Sequence, residues 1–345
     1  MQLIHIVRRY GPVGGMERYV WELTLNLRAL GHEVLVLCEV CTGEKPDGVS
    51  VIELGEIRPR PRWLALWRFG RRVAHWLAEH PHAGSIIHSH ERSSCHQVTT
   101  FHGPPFATVL DKPWWCLLSL RIWMQLFLER RELATAQFIV PNSPIIQQQL
   151  AHYYPKLAFK LTEPIAPGVG ELAQRVFHKV PADGGVIGFV GKEWKRKGLP
   201  LAVQAVAQLR RTRPNLQLQV IGPEAAEIQY LFAGWTGGYR LLGWSNMAHY
   251  ADFDVLLHPA KAEPYGMVIS EAMAAGVPVV VSEVCGAAAQ VATDAGTVLP
   301  LSAPVEVWSE ALEAQLSRNE PVPHFVRSWK QVAQEFEKIY NKVKP

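Results

Sequence analysis

Two glutamates separated by seven residues are the part of this chain best suited to chemistry. Glu263 and Glu271 enclose the segment Pro-Tyr-Gly-Met-Val-Ile-Ser, and an apolar run follows them. A helix that begins at Tyr265 or Gly266 leaves Glu263 in a loop and carries Glu271 on its second turn. Because the first amides of a helix have no acceptor within it, the segment from Gly266 to Val268 predicts an anion site between two carboxylates. For the pair alone, two solvated glutamates at the ends of a surface helix are the alternative.

A basic loop between two glycines is the second group. Lys192, Arg196 and Lys197 lie between Gly191 and Gly198, directly after a strand-like run. Arginine contacts phosphate through two parallel hydrogen bonds, and lysine acts as a point charge. The loop therefore predicts a site that neutralises a diphosphate, with a solvated basic turn as the alternative.

Three further loops carry glycine, histidine or tryptophan signals. Gly14 and Gly15 follow the first apolar run, where backbone amides would approach a pyrophosphate, although their spacing differs from the dinucleotide-binding G-x-G-x-x-G pattern. His102 precedes a glycine, and Trp244 lies in a turn that would face a nucleotide base. Each of these signals alone is more typical of a tight turn or a structural side chain.

The elements that must position these loops alternate between strand-like and helical patterns along the whole chain. Between residues 16 and 30 the apolar side chains have helical spacing, and Gly31 is a stop signal. Alternation of this kind predicts an α/β protein with parallel sheets covered by helices, in which ligands bind at the carboxyl ends of the strands. Strand-like runs cover residues 3–7, 34–37, 85–88, 137–140, 185–191, 216–221, 255–258 and 279–281.

The length of 345 residues predicts two domains. Prolines and glycines that break regular structure are concentrated between Lys160 and Asp183, which marks the boundary. Apolar residues return to helical spacing between residues 326 and 343, so a closing helix has its own face to bury.

Taken together, these residues resemble the retaining nucleotide-sugar glycosyltransferases of the GT-B fold, specifically glycosyltransferase family 4. The resemblance covers nearly the whole chain, and its most specific part is the E-x7-E pattern from Glu263 to Glu271 with the Gly-Val-Pro-Val-Val run after it. It implies an α/β protein of two Rossmann-like doubly wound domains that face each other across a cleft. Residues 1–165 are expected to bind the acceptor, residues 166–325 the nucleotide-sugar, and residues 326–345 to form a helix that crosses back to the first domain.

The resemblance also implies roles for individual residues. His102, Lys197 and Glu263 are expected to act in catalysis, with Glu17 and His102 on the acceptor side. The family commonly has Gly-Arg where this chain has Gly191-Lys192, so either Lys192 or Arg196 supplies the second phosphate contact. The donor is expected to contact Gly14, Gly15, Lys192, Arg196, Lys197, Trp244, Glu263, Tyr265, Gly266, Met267, Val268 and Glu271.

The expected reaction moves a hexose from a nucleotide diphosphate-sugar, with UDP preferred because uridine is common in the family, to a glycan or lipid-linked acceptor. Retention of the anomeric configuration and independence of metal or other cofactors follow from the same resemblance. The narrower resemblance is to transferases of bacterial lipopolysaccharide core and exopolysaccharide synthesis. A GT-B nucleotide-sugar epimerase, a nicotinamide-dependent oxidoreductase and a non-catalytic two-domain sugar-binding protein are the alternatives.

Two stretches of the sequence combine basic residues with tryptophan, as expected of a surface that meets anionic lipid.

 Residues 58–76 hold six arginines around Trp63, Trp67 and Phe69, and residues 112–131 hold three tryptophans between lysine and arginine. Amphipathic helices whose aromatic residues belong to the core are the alternative. We expect an anionic membrane surface as a partner, and a cytoplasmic, peripheral location on the inner face of the cytoplasmic membrane.

Composition adds limits rather than a function. The net charge of +4 permits anionic partners without indicating nucleic acid. Five scattered cysteines do not describe a disulfide framework, which favours a reducing compartment. The segment from His88 to Glu91 has metal-ligand residue types, but with no second ligand cluster in the sequence it favours a structural or substrate-contacting role over a metal site.

Overall fold

A computed structural model describes residues 1–55, 60–245 and 249–344. Contacts divide the chain into two compact units, which we call unit 1 (Met1–Gly168 with Arg327–Pro345) and unit 2 (Val169–Val326). Each unit contains a six-stranded parallel sheet with helices packed against it. No helix within the described ranges is long and apolar enough to cross a membrane.

The strands and helices follow one another in the alternating order that the sequence predicts. The first part of the chain forms β1 (Gln2–Ile6), β2 (Arg9–Tyr10), α1 (Met16–Ala29), β3 (Glu33–Cys38), β4 (Val40–Cys41), β5 (Val49–Glu53), α2 (Arg62–Glu79), β6 (Ile86–Ser89), β7 (Val98–Phe101), α3 (Leu120–Thr135), β8 (Phe138–Pro141) and α4 (Pro144–Tyr153). The second part forms β9 (Gly184–Val190), α5 (Leu199–Leu209), β10 (Asn215–Ile221), α6 (Ala225–Ile228), β11 (Tyr239–Leu241), β12 (Val255–His258), α7 (Met267–Ala274), β13 (Val279–Ser282), β14 (Gly296–Leu299), α8 (Val305–Leu316) and α9 (Trp329–Tyr340).

The sheet of unit 1 is doubly wound. Its strand order is β5-β3-β1-β6-β7-β8, and β2 pairs separately with β4. The chain first extends the sheet from β1 in one direction and then returns to extend it from β1 in the other, as in Rossmann folds. Loops that follow β1 and β6 therefore diverge at this switch point and leave a crevice for ligands.

The sheet of unit 2 repeats the same topology. Its order is β11-β10-β9-β12-β13-β14, so the switch point lies between β9 and β12. Its strands β12 and β13 are buried on both faces, and the core includes Phe189, Leu218, Val255, Val280 and Trp308. The basic loop follows β9 and the loop of Glu263 follows β12, which places both at the switch point.

The closing helix α9 belongs to unit 1, together with the first part of the chain. A capping box between Ser328 and Gln331 begins the helix. Its buried face includes Trp329, Phe336 and Tyr340, and the Tyr340 hydroxyl lies 2.7 Å from Nδ1 of His88 in β6. The helix is thus attached to the centre of the unit 1 sheet.

Candidate active site

Glu263 lies among three basic side chains in unit 2. Its Oε2 atom is 3.3 Å from Nη1 of Arg196, 3.5 Å from Nζ of Lys197 and 3.6 Å from Nε2 of His258. The Glu263 side chain is only 10% exposed, so its charge is shielded from most of the solvent. The structure therefore brings together the first glutamate and the basic loop, which are far apart in the sequence.

The electrostatics of this group keep Glu263 ionised. Burial opposes ionisation, but the contact with His258 and the charges of Lys197 and Arg196 outweigh it and lower the pKa of Glu263 to about 2. Burial lowers the pKa of His258, so its imidazole is neutral near pH 7. At 3.6 Å the His258 contact is longer than a full hydrogen bond. Glu263 is consequently an acceptor of hydrogen bonds and not a proton donor.

Two glycines hold the basic loop in this position. A Cβ atom on Gly191 would lie 2.1 Å from Cδ of Lys197, and one on Gly198 would lie 1.9 Å from the Pro259 carbonyl oxygen. Both glycines have positive φ values, 155° and 81°, which other residues rarely adopt. The lysine side chain can therefore pass close over the loop, and the loop can approach the end of β12.

The two candidates for a second phosphate contact differ in their surroundings. The guanidinium of Arg196 forms a salt bridge of 2.5 Å with Glu193 as well as its contact with Glu263. Lys192 is exposed at the start of the loop. Arg196 is thus anchored near Glu263, whereas Lys192 is accessible, and a phosphate contact by either residue stays a prediction.

The helix after Glu263 begins at Met267, one residue later than the later of the two predicted starts. Gly266 has a left-handed backbone with φ of 95° and precedes the first helical residue. The amides of Met267 and Val268 lie in the first turn, where no intrahelical acceptor is available. Tyr265 is buried, and its hydroxyl forms hydrogen bonds with Ser270 and Gln290. Its ring thus ties the loop to the surrounding structure.

Glu271 is buried within α7. The Tyr250 hydroxyl donates a hydrogen bond of 2.5 Å to its Oε2 atom. Sequence reasoning missed Tyr250 because it lies in a separate short helical turn and carries no motif of its own. Trp244 is half exposed after Gly243, whose φ is 65°, and the neighbouring residues 246–248 lie outside the described part of the chain.

In unit 1, Gly14, Gly15 and Glu17 form the turn into α1. Gly14 has a φ of 104°, and a Cβ atom there would lie 2.5 Å from Oε2 of Glu17. Gly15 is the last residue before the helix, and Glu17 lies in its first turn. The turn therefore favours a glycine at residue 14 because of its backbone conformation, since the flexible Glu17 carboxylate could move aside.

His102 is the end of a chain of three histidines that crosses the unit 1 sheet. Its Nε2 atom is 2.9 Å from Nδ1 of His90, and Nε2 of His90 is 3.1 Å from Nδ1 of His5. Burial lowers the pKa of His5 and of His102 to about 3, and it lowers the pKa of His90 as well. Neutral imidazoles have one donor and one acceptor, so each ring fixes the tautomer of the next.

The same region brings together three histidines with metal-ligand atoms, and the sequence analysis missed one of them, His5. One nitrogen from each of His5, His88 and His90 lies within 4.8 Å of the others. His5 escaped notice because it is in β1, although its register partner in β6 is His88. Both nitrogens of His88 already lie 2.7 Å from hydroxyls, those of Tyr340 and Thr100. The geometry is that of a hydrogen-bond network, and independence of metal stays a prediction.

The two basic, tryptophan-containing stretches differ in exposure. In residues 58–76, Phe69 is buried in the core and the tryptophans are partly buried, as the alternative interpretation expected, while residues 58 and 59 lie outside the described ranges. In residues 112–131, Trp114 is 69% exposed and Leu118 75%. The exposed apolar side chains around them are Leu110, Trp115, Leu120, Trp123 and Phe127.

The fold is that of the two-domain, Rossmann-like α/β proteins. Comparison with known families makes this assignment more specific. The model described as Glycosyltransferase Family 4 matches residues 13–170, and that described as Glycosyl transferases group 1 matches residues 184–318. The chain therefore belongs to the GT-B glycosyltransferases, with a family 4 domain followed by a group 1 domain.

Individual relatives agree with this family. A glycogen synthase from Mycobacterium tuberculosis is 26% identical over 341 residues, which cover 83% of this chain and 79% of that protein. Lipopolysaccharide glucosyltransferase WaaG from Escherichia coli is 32% identical over 143 residues, which cover 38% and 37%. The crystal structure of WaaG, a glycosyltransferase involved in lipopolysaccharide biosynthesis, aligns over 99% of both chains with a TM-score of 0.80 at 20% identity.

Proposed function

We propose that this glycosyltransferase moves a hexose from a nucleotide diphosphate-sugar, UDP-linked by preference, to a glycan or glycolipid of the cell envelope, with retention of configuration. The observation that carries the proposal is the group of Lys197, Arg196 and His258 around the ionised Glu263. Two cations beside a helix N-terminus suit a diphosphate whose negative charge increases as it leaves. The similarity to WaaG supports lipopolysaccharide core as the setting.

The reaction breaks the bond between the anomeric carbon and the diphosphate oxygen. The acceptor hydroxyl oxygen forms the new bond on the face that the diphosphate leaves, and its proton passes to the departing phosphate oxygen. Lys197, one further cation and the amides of Met267 and Val268 stabilise the charge that develops on the diphosphate. No metal ion is needed for this task, since the protein supplies the positive charge.

The remaining residues orient the substrates. Glu263 accepts hydrogen bonds from the donor sugar, and Glu271, which also accepts from the Tyr250 hydroxyl, accepts from the ribose. Gly14 and Gly15 allow backbone amides to approach the diphosphate, and Trp244 faces the base. His102 orients the sugar or the acceptor through a ring whose tautomer the neighbouring histidine fixes.

A thermal-melt panel with UDP, GDP, ADP, CDP and NAD, each in the presence of EDTA, tests the donor and the absence of metal. A ligand at about one hundred times its dissociation constant stabilises the native state by roughly 2.7 kcal/mol, which shifts the melting temperature by a few degrees. We expect a shift with UDP. A shift with another nucleoside diphosphate instead would mean that the donor carries that nucleoside's base. A shift with NAD alone would contradict the proposal.

We also propose that the exposed apolar surface of residues 110–127 docks on anionic membrane. Lys112, Arg121 and Arg130 are exposed beside the tryptophans, so the same surface offers positive charge and indole rings. The proposed membrane is the inner face of the cytoplasmic membrane, where a lipid-linked acceptor would be found.

Co-sedimentation with anionic liposomes at low salt measures this docking. Replacing Trp114 and Trp115 by serine removes two exposed indoles, and we expect the lipid affinity to fall at least about tenfold. Tyr230→Ser, which changes an exposed aromatic residue of unit 2, is the matched control and keeps the parent affinity. Equal liposome binding by the tryptophan variant and the parent would contradict the membrane proposal.

A further inference from the structure

A cavity of about 390 Å³ in unit 1 has a strongly basic wall. It lies at the carboxyl ends of β6 and β7, beside the first turns of α2 and α3, and His102 is among its lining residues. Arg62, Arg92 and Arg121 reach it from three different elements. Because all three belong to unit 1, the cavity is complete within that unit.

One of the three arginines is neutralised and fixed. Nη2 of Arg92 is 2.8 Å from Oε2 of Glu129, which is fully buried, and Arg92 also contacts Gln125. Glu129 further accepts hydrogen bonds from the amides of Phe106 and Ala107. Arg92 is therefore a rigid part of the wall, and its charge is balanced by Glu129.

In the part of the chain that the structure describes, the charges of the other two arginines are not balanced by a salt bridge. Within residues 1–55, 60–245 and 249–344, no carboxylate lies within salt-bridge distance of Arg62 or Arg121, and both side chains are exposed. They stand at the starts of α2 and α3, and both residues line the cavity. A ligand with several oxygen atoms could engage both forks at once.

The carboxyl groups in the cavity do little to balance these charges. Burial raises the pKa of Glu91 to about 7, against the opposing charge of Arg8, and it raises the pKa of Glu132 to about 8. Near pH 7, Glu91 is about half ionised and Glu132 is mostly neutral. The cavity therefore retains a clear excess of positive charge.

We propose that this cavity binds a phosphate group carried by the acceptor, with Arg62 and Arg121 as its ligands. Two guanidinium forks match the charge of about −1.5 to −2 and the oxygen atoms of a phosphate monoester better than a single carboxylate charge. The inference rests on the proposed function in one respect, that the neighbourhood of His102 receives the acceptor. It adds the chemical class of that acceptor, a phosphorylated sugar or a sugar on a lipid-borne phosphate.

Calorimetric titration with glucose 6-phosphate, glucuronate and glucose tests the site. The donor site is first filled with the nucleoside diphosphate that raises the melting temperature. The titration is then repeated with the Lys197→Ala variant, so that any binding of the probes at the donor site can be told from binding in the cavity. We expect glucose 6-phosphate to bind most tightly and Arg62→Gln and Arg121→Gln each to weaken it at least about tenfold. Arg68→Gln on α2 is the matched exposed control outside the cavity, and it keeps the parent affinity.

Vesicles that contain phosphatidic acid separate the two sources of phosphate. If glucose 6-phosphate competes with them in a manner that depends on Arg62 and Arg121, a lipid-borne phosphate enters the cavity. If it does not compete, while its own binding still needs both arginines, the phosphate belongs to a sugar. Either result supports the site.

Three results overturn the inference: glucuronate binds as tightly as glucose 6-phosphate, neither phosphate probe binds saturably, or both cavity variants bind as the parent does. The experiments also distinguish a wrong donor assignment from a wrong phosphate site. If no nucleoside diphosphate shifts the melt while glucose 6-phosphate still binds through Arg62 and Arg121, the proposed donor is wrong and the phosphate site stands.

Discussion

We expect turnover to fall at least about a hundredfold when Lys197 is replaced by alanine, because the proposed contact to the charge of the transition state is lost. The ammonium group lies 3.5 Å from Glu263 and is mostly shielded from solvent. A charge in such surroundings stabilises a departing diphosphate far more than an exposed one does. Steady-state kinetics with the donor identified by the melt panel measures the loss.

The fold should survive this substitution. Arg196 still contacts Glu263 in the variant, so the carboxylate is not left without a cation. We therefore expect a melting temperature close to that of the parent and a loss expressed mainly in kcat. A drop in activity that merely follows a drop in melting temperature would assign Lys197 a structural role.

Lys195→Ala is the matched control for Lys197. Lys195 lies in the same loop, but its side chain is exposed and its ammonium group stands 5.0 Å from the ring centre of Trp194. We expect this variant to keep nearly full activity. If the two variants lose activity equally, or if Lys197→Ala stays within a few-fold of the parent, the assigned role is wrong.

The second large effect is loss of stability in mild acid. Burial lowers the pKa of five histidines of unit 1 below the ordinary value of 6.5, to about 3 for His5 and His102 and about 4 for His96. A group whose pKa is lowered by folding contributes stability above its unfolded pKa and loses it as the pH falls. The remaining two of these histidines are His88 and His90.

Two buried carboxyls oppose this trend. The pKa values of Glu91 and Glu132 are raised to about 7 and about 8, so their contribution to stability is largest at low pH and is lost as the pH rises through those values. Between pH 6.5 and 4.5 the histidines outnumber them. The unfolded chain then binds roughly two to three more protons than the native one, which lowers the unfolding free energy by about 3–4 kcal/mol per pH unit.

Urea unfolding between pH 7.5 and 5 measures this slope. Because domains are typically stable by about 5–15 kcal/mol, we expect much of the stability to be gone near pH 5. His5→Asn removes one titrating group and should reduce the slope by about 1.4 kcal/mol per pH unit. His75→Asn, at an exposed position of α2, should leave the slope unchanged. A stability that stays flat down to pH 5 would contradict a neutral, buried histidine network.

The repeating order of strands and helices was predictable from the sequence because it depends on local periodicity. The strand at Val255–His258 has the predicted bounds, and α1 ends one residue before the predicted end. The position of Glu263 in a loop and of Glu271 on the following helix was predictable for the same reason. The start of that helix was wrong by a residue, because the left-handed backbone of Gly266 holds it outside the helix.

Contacts between distant residues could not be predicted in this way. Arg196 and Glu263 are 67 residues apart, and His5 and His90 are 85 apart. The first pair meets because parallel strands bring the loops after them to one edge of a sheet, and the second because β1 lies beside β6. The order of those strands is a property of the whole fold. His258 and Tyr250 gain their roles only from the carboxylates they approach.

The sequence by itself determined the α/β class and the division into two units, because both follow from local patterns along the chain. Its resemblance to a family then indicated the residue types at the loops that we propose bind the donor. Only the tertiary structure decided which side chains are buried. Phe69 and Trp114 lie in stretches of similar composition, yet one is in the core and the other is 69% exposed. A helical pattern shows that a face is apolar, but what covers that face depends on elements elsewhere in the chain.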